Sequence, residues 1–266
     1  MRTSLRYGLG LFAVSAALLA CGELSAEEAR EALDEASISS AAASLTAGSI
    51  DISTHFTIGG AVENVASDIR DFVHTQLPCA RVTLVGARLT IEYGALPGIC
   101  IYQGQTYAGT HVIDVMASSA SQVMVEHTWT GLSNQTVSVT GSAMVTWNAA
   151  DATRHASYST TWTRASDGHT GTGTGDVTQS ALSGGVLLGF AESGERTWRS
   201  AAGTWSLDID RVQMRWIDPC PQSGTYTLTT PSSRHLTLSF TRTVPMTIRA
   251  TIASGARSYD IDVRTL

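Results

Sequence analysis

The sequence predicts a mainly β fold: a large antiparallel meander, as a sandwich or partly closed barrel, with one N-terminal amphipathic helix packed on it. Three observations carry the prediction. From Ala80 onward apolar and polar residues alternate with a period of two through a long series of stretches. Turn residues punctuate the series at Ser166-Asp167-Gly168, Pro219 to Gly224, Thr230 to Ser233 and Ser254-Gly255. One stretch ahead of the series keeps helical spacing instead.

The first element is an export signal. Arg2 and Arg6 precede "YGLGLFAVSAALLA", an uncharged run at 7–20 that fits a signal h-region and is too short to span a bilayer. It closes on Leu18-Leu19-Ala20-Cys21, which resembles the lipobox of bacterial lipoproteins. The resemblance implies cleavage after residue 20, lipidation of Cys21 and a partner in the membrane through that lipid. Gly22 stands where an Asp would signal inner-membrane retention, so the implied location is the outer membrane, facing the periplasm or the surface.

Loss of 1–20 removes two arginines and takes the formal net charge from −6 to −8. An acidic chain with scattered arginine has no electrostatic footprint for nucleic acid. Residues 21–48 are acidic, then rich in Ala and Ser. Ser25 and Glu28 fit a capping box, and a short helix over 26–36 with a thin apolar face reads as a tether or loosely docked helix between lipid and body.

A single β-rich domain is expected over 49–266. Its helix, over 60–76, places Val62, Val65, Ala66, Ile69, Phe72, Val73 and Leu77 on one face. Pro78 biases the preceding residue out of helical conformation and ends it. With Cys21 set aside, Cys79, Cys100 and Cys220 remain in an exported chain. Cys79 and Cys100 flank two strand-like halves and are the expected disulfide, although three thiols allow three single bridges. No His and acid partner can be placed beside Cys220, which argues against a catalytic thiol.

In the β region, "QTVSVTGSAMVTW" sets Val137, Val139, Ala143, Val145 and Trp147 against a Ser/Thr face, the habit of an antiparallel sheet with one wet side. "AGTHVIDV", "AGTWSLDI" and "SGTYTLTT" echo one another, at a period too irregular for a solenoid or propeller.

The motifs that carry chemistry are few. His111 and His127 fall on apolar strand faces, without the HExxH or CxxC spacing of a metal site, and read as hydrogen-bonded core or rim residues. His55, His74, His155, His169 and His235 read as surface. "DGHTGTGTGD" at 167–176 lacks the context of a phosphate loop and the tandem repeat of a calcium-binding nonapeptide. It reads as a flexible Thr/Gly hairpin arm that another chain could approach closely. Asp208 and Asp210 share a strand face. They fit cross-strand charge pairing, or an acid–base or cation pair if they converge in a cleft. No G-x-S-x-G elbow is present. Trp129, Trp147, Trp162, Trp198, Trp205 and Trp216 all lie in the β region, and core filling accounts for at least four of them.

Taken together, Phe56 to Glu63, Leu77 to Ala80, Cys100 to Gly104 and Cys220 to Leu228 ("CPQSGTYTL") resemble a class of exported lipoproteins of Gram-negative bacteria. The resemblance implies location and architecture and no activity. The function expected is a non-enzymatic scaffolding or binding lipoprotein of the cell envelope, with no cofactor, its ligand a protein or an apolar small molecule. The alternatives are a carrier in which a curved sheet and the 60–76 helix enclose an apolar cavity, as lipoprotein carriers do, and a hydrolase.

Overall fold

The computed structural model describes residues 23–53, 60–185, 188–215, 217–218, 220–244 and 246–264. The expected signal peptide, Cys21, His55 and Trp216 lie outside the described residues.

Two helices come first, α1 (Ala26–Ile52) and α2 (Val62–Gln76). They are followed by β1 (Arg81–Val85), β2 (Arg88–Tyr93), β3 (Ile101–Tyr102), β4 (Gln105–Thr106) and β5 (Ala108–Ser118). Then come β6 (Gln122–Ser133), β7 (Val137–Asn148), β8 (Thr153–Arg164), β9 (Thr170–Ala181) and β10 (Gly189–Ser200). The chain closes with β11 (Gly203–Arg215), β12 (Ser223–Thr229), β13 (His235–Val244), β14 (Thr247–Ser254) and β15 (Arg257–Arg264).

All strands but β3 and β4, which pair with each other, form one antiparallel meander of 13 strands in the order β1-β2-β5-β6 and so on to β15. The expected mainly β meander is present. Among the described residues the sheet is not closed into a barrel, and the two-stranded β3–β4 pair is too small to make a sandwich with it; β1 and β15 are its edges. Alternation drives the result, because each strand can bury only one face. On β7 that face carries Val137, Val139, Ala143 and Val145, and on β6 Val123, Val125, His127 and Trp129. Extra residues at Trp129/Leu132, Glu192/Gly194 and Asp210/Gln213 shift the register, and such bulges bend strands.

Helix α2 follows its periodicity. Val65, Ala66, Ile69, Val73 and Leu77 are buried against the β1, β2 and β5 end of the sheet. The chain then turns into the Cys79–Cys100 disulfide, with a Cα–Cα distance of 5.4 Å. Cys220 is a free, half-buried thiol whose pKa is pushed up by burial and by nearby Asp218, which leaves it a poor nucleophile.

Helix α1 departs from expectation. It runs to Ile52, well past the expected end at 36, and of the two readings, tether or docked helix, it takes the docked one, with buried residues along its length. The capping box forms as expected, with Ser25 Oγ accepting from Glu28 N and Glu28 Oε2 accepting from Ser25 N. The helix continues because Ala, the strongest helix former, is its commonest residue and no Gly or Pro interrupts it before Gly48. Its buried residues include Ala32, Glu35, Ile38, Ala42, Leu45, Ser49 and Ile52. They form a stripe so diluted by Ala and Ser that little amphipathicity shows in the sequence.

Candidate functional site

Helix α1 crosses the apolar face of the sheet and is fastened at both ends. At its start Leu24 N donates to Ser254 Oγ at 3.0 Å, Glu23 pairs with Arg257 at 3.2 Å, and Arg234 holds Glu28 at 2.6 Å. Nearer its middle, Asp34 meets Arg164 at 2.9 Å and the buried Glu35 carboxylate meets His169 at 2.9 Å. At its end Trp129 Nε1 donates to Ser49 Oγ at 2.8 Å, and Asp51 pairs with Arg154. Twenty-seven residues at about 1.5 Å each make a helix of roughly 40 Å, so the helix and the residues just before it reach from β6 at one end to β15 at the other.

Between those fastenings the helix stands off the sheet. A cavity of about 510 Å³ lies between α1 and the inner face of β9–β13. One wall is the α1 face bearing Ala36, Ser37, Ser40, Ala43, Ser44 and Ala47, with Leu33 at its rim. The facing wall is apolar: Phe190, Leu207, Met214, Leu228, Leu236 and Leu238. Register explains this second wall, since Leu207, Leu228 and Leu236 are cross-strand neighbours in one row. The space exists because every helix residue below Leu33 on this face is Ala or Ser. Leucines there would reach the opposing leucines and close it. The volume falls within the range of small-molecule sites.

A polar row borders the cavity on the β8 side. Arg154, Gln179 and Glu192 are aligned across β8, β9 and β10. Arg154 donates to both Asp51 Oδ1 and Gln179 Oε1, and Gln179 Nε2 donates to Glu192 Oε2 at 2.6 Å. Arg196 follows on the same face of β10. Opposite it Gly175 has no side chain, and the Tyr158 ring fills that place; a Cβ on Gly175 would lie 2.3 Å from Tyr158 Cζ. A smaller recess of about 60 Å³ is walled by Arg154, Tyr158, Gln179, Glu192 and Arg196 together with α1. It shares Gln179, Glu192 and Arg196 with the large cavity. Burial, reinforced by Glu192, raises the Tyr226 pKa to about 12 and burial raises that of Tyr158, so both remain neutral hydroxyls.

The histidines expected in the core are there. His111 and His127 are both fully buried, with Nε2 of the first 2.9 Å from Nδ1 of the second. Tyr93 Oη lies 3.3 Å from His111 Nδ1 and continues the chain. Burial pushes the His111 pKa down to about 3; burial, with the neighbouring His111 and Arg154, holds His127 well below its ordinary value. The pair is therefore neutral. Among the described residues no group of His, Cys, Asp or Glu is arranged to hold a metal ion. His74 and His235 are exposed, while His155 and His169 are half-buried in pairs with Asp176 and Glu35.

Asp208 and Asp210 do share the exposed outer face of β11. Asp210 pairs with the adjacent Arg211 at 3.0 Å, and Asp208 stands opposite Thr227 and Glu195. They do not converge on a cleft. Trp129, Trp162, Trp198 and Trp205 are buried in the core, and Trp147 is half-buried against it. The Thr/Gly stretch is the turn and second arm of the β8–β9 hairpin, as expected, but that arm also pairs with β10 and so is not free. It is β9, a central strand whose inward glycines seat neighbouring rings: a Cβ on Gly171 would lie 2.3 Å from Trp162 Cζ2.

The cavity itself was not among the sequence-level candidates at this position. A carrier cavity was expected under the 60–76 helix. That helix is packed closely, and it is α1 that roofs the space. The chain matches no family model, no curated protein and no solved structure.

Proposed function

We propose that this protein binds an apolar ligand in the cavity beneath α1, as a carrier or reservoir in the cell envelope. The observation that carries the reading is the opposition of a small-residue helix face to a wall of Leu, Phe and Met across about 510 Å³. A fold selected for stability alone would fill such a space, because each large apolar side chain buried there contributes about 1.5–3 kcal/mol. The lipobox at Leu18–Cys21 supports attachment to the outer membrane. Only Gly22 separates Cys21 from Glu23, which is already bound to Arg257. A lipid on Cys21 would hold the β14–β15 turn close to the bilayer, so the tether proposed over 21–48 has no place in this reading.

Two measurements test the proposal. Titration of the folded domain with the neutral fluorophore N-phenyl-1-naphthylamine should show saturable binding to one site. An emission that rises linearly without saturation would sink the binding reading. Mass spectrometry of the mature N-terminus should find an acylated Cys21. An unmodified N-terminus elsewhere would remove the membrane attachment and leave the cavity reading intact.

A further inference from the structure

We infer that the ligand is an anionic amphiphile, a single-chain carboxylate or phosphate ester, whose head group pairs with Arg196 while its chain lies along β10–β13. This inference rests on the cavity reading and specifies the chemistry of its occupant.

The argument begins with the charges around the cavity. Asp51 and Arg154 neutralise each other, and Gln179 serves both Arg154 and Glu192. Arg196 is different. Its Nη2 reaches Ser40 Oγ only at 3.4 Å, and it lies against the Tyr158 hydroxyl. Its Nε is buried with no hydrogen-bond partner. Among the described residues no carboxylate stands within ion-pair distance of it. A guanidinium has five N–H donors in a planar fork suited to a carboxylate or phosphate. Here those donors border both the apolar cavity and the 60 Å³ recess.

The position suits a head group. Gly175 lets Arg196 and Tyr158 approach across β9, so a hydroxyl and a guanidinium face the same recess. From Arg196 the register row runs directly into Leu207, Leu228 and Leu236. A chain starting at Arg196 therefore meets only apolar surface along that row. A cationic head group would find Glu192 already accepting from Gln179 at 2.6 Å and would lie beside the uncompensated Arg196.

The test compares cis-parinaric acid with the corresponding parinaryl alcohol, two fluorescent probes with the same chain. They are titrated at neutral pH into the wild-type protein, Arg196→Gln and Arg196→Lys. The wild-type protein should bind the acid at least about tenfold more tightly than the alcohol, because only the acid makes a charge-assisted contact with the guanidinium. Arg196→Gln should lose that preference, its affinity for the acid falling to about that for the alcohol, and Arg196→Lys should retain part of it. Near-ultraviolet circular dichroism of the tryptophans confirms that each variant is folded. Displacement of the acid by dodecanoate or by dodecyl phosphate identifies the preferred head group, and either result supports the inference. Equal wild-type affinity for acid and alcohol overturns it, as does an Arg196→Gln effect that is the same on both probes. If neither probe binds the folded wild-type protein, the cavity reading itself fails.

Discussion

Trp129 Nε1 donates to Ser49 Oγ at 2.8 Å, and this one bond joins the last turn of α1 to the middle of β6 with both residues fully buried. It fixes where the helix lands on the sheet and hence how far the helix stands from β10–β13. Ser49→Ala would leave the indole N–H buried without a partner. The expected loss is about 1–3 kcal/mol of unfolding free energy, measured by urea denaturation. In the background of Trp129→Phe, the same substitution should have a much smaller effect. Full additivity of the two changes would mean that the bond does not anchor the helix.

The buried imidazoles predict an acid sensitivity. The unfolded chain takes up protons on His111 and His127 as pH falls below about 6.5, whereas the folded chain resists because burial depresses both values. Their contribution to stability is thus complete above about pH 6.5 and is lost progressively toward the folded value near 3. Denaturation midpoints measured from about pH 6.5 to 5, above most carboxylate titration, should decline. His127→Gln should reduce that slope by roughly one proton. A flat profile in the wild-type protein would contradict the neutral-pair assignment.

The glycines of β9 predict a face-specific response. Gly171→Ala and Gly175→Ala place a Cβ 2.3 Å from Trp162 and Tyr158 atoms, and each should destabilise by about 1–3 kcal/mol. Thr174→Ala, on the exposed face of the same strand, should change stability by about 0.5 kcal/mol. Thermal denaturation of the three variants separates the cases. Equal effects on both faces would argue that the glycines serve strand flexibility and not ring packing.

The Cys79–Cys100 bridge closes a loop with a sequence separation of 21, worth about 3 kcal/mol in the chain-entropy description. Replacing both cysteines by serine should lower stability by that amount. Cys220→Ser, at a half-buried thiol outside the bridge, should have little effect. If reductant destabilises the Cys220→Ser variant no more than the Cys79→Ser/Cys100→Ser variant, the bridge contributes nothing.

Much of the architecture was legible in the residues themselves. Period-two alternation located the strands, and α2 was readable because Val65, Ile69 and Val73 are large and sharply opposed to Glu63, Asp68 and Asp71. Helix α1 was only half legible. Its cap was plain in Ser25 and Glu28, but its buried stripe mixes Ile38 and Leu45 with Ala32, Ala42, Thr46 and Ser49. That composition reads like a linker when the partner surface is unknown. The cavity was less legible still, because its helix wall is defined by the smallness of Ala36, Ser40 and Ala43, and smallness has no periodic hydrophobic signal. Arg196 stood out only once the register set it beside Gly175 and in line with Leu207. The alternating glycines likewise acquired a meaning only opposite Trp162 and Tyr158.

Filling the helix wall tests the account most directly. Ala36→Leu/Ser40→Leu places two large side chains on the α1 face that opposes Leu207, Leu228 and Leu236. N-phenyl-1-naphthylamine affinity of this variant, compared with wild type, should fall more than tenfold while the urea midpoint does not drop. An affinity equal to that of the wild-type protein, in a variant shown to be folded, would mean that the cavity beneath α1 is not the binding site.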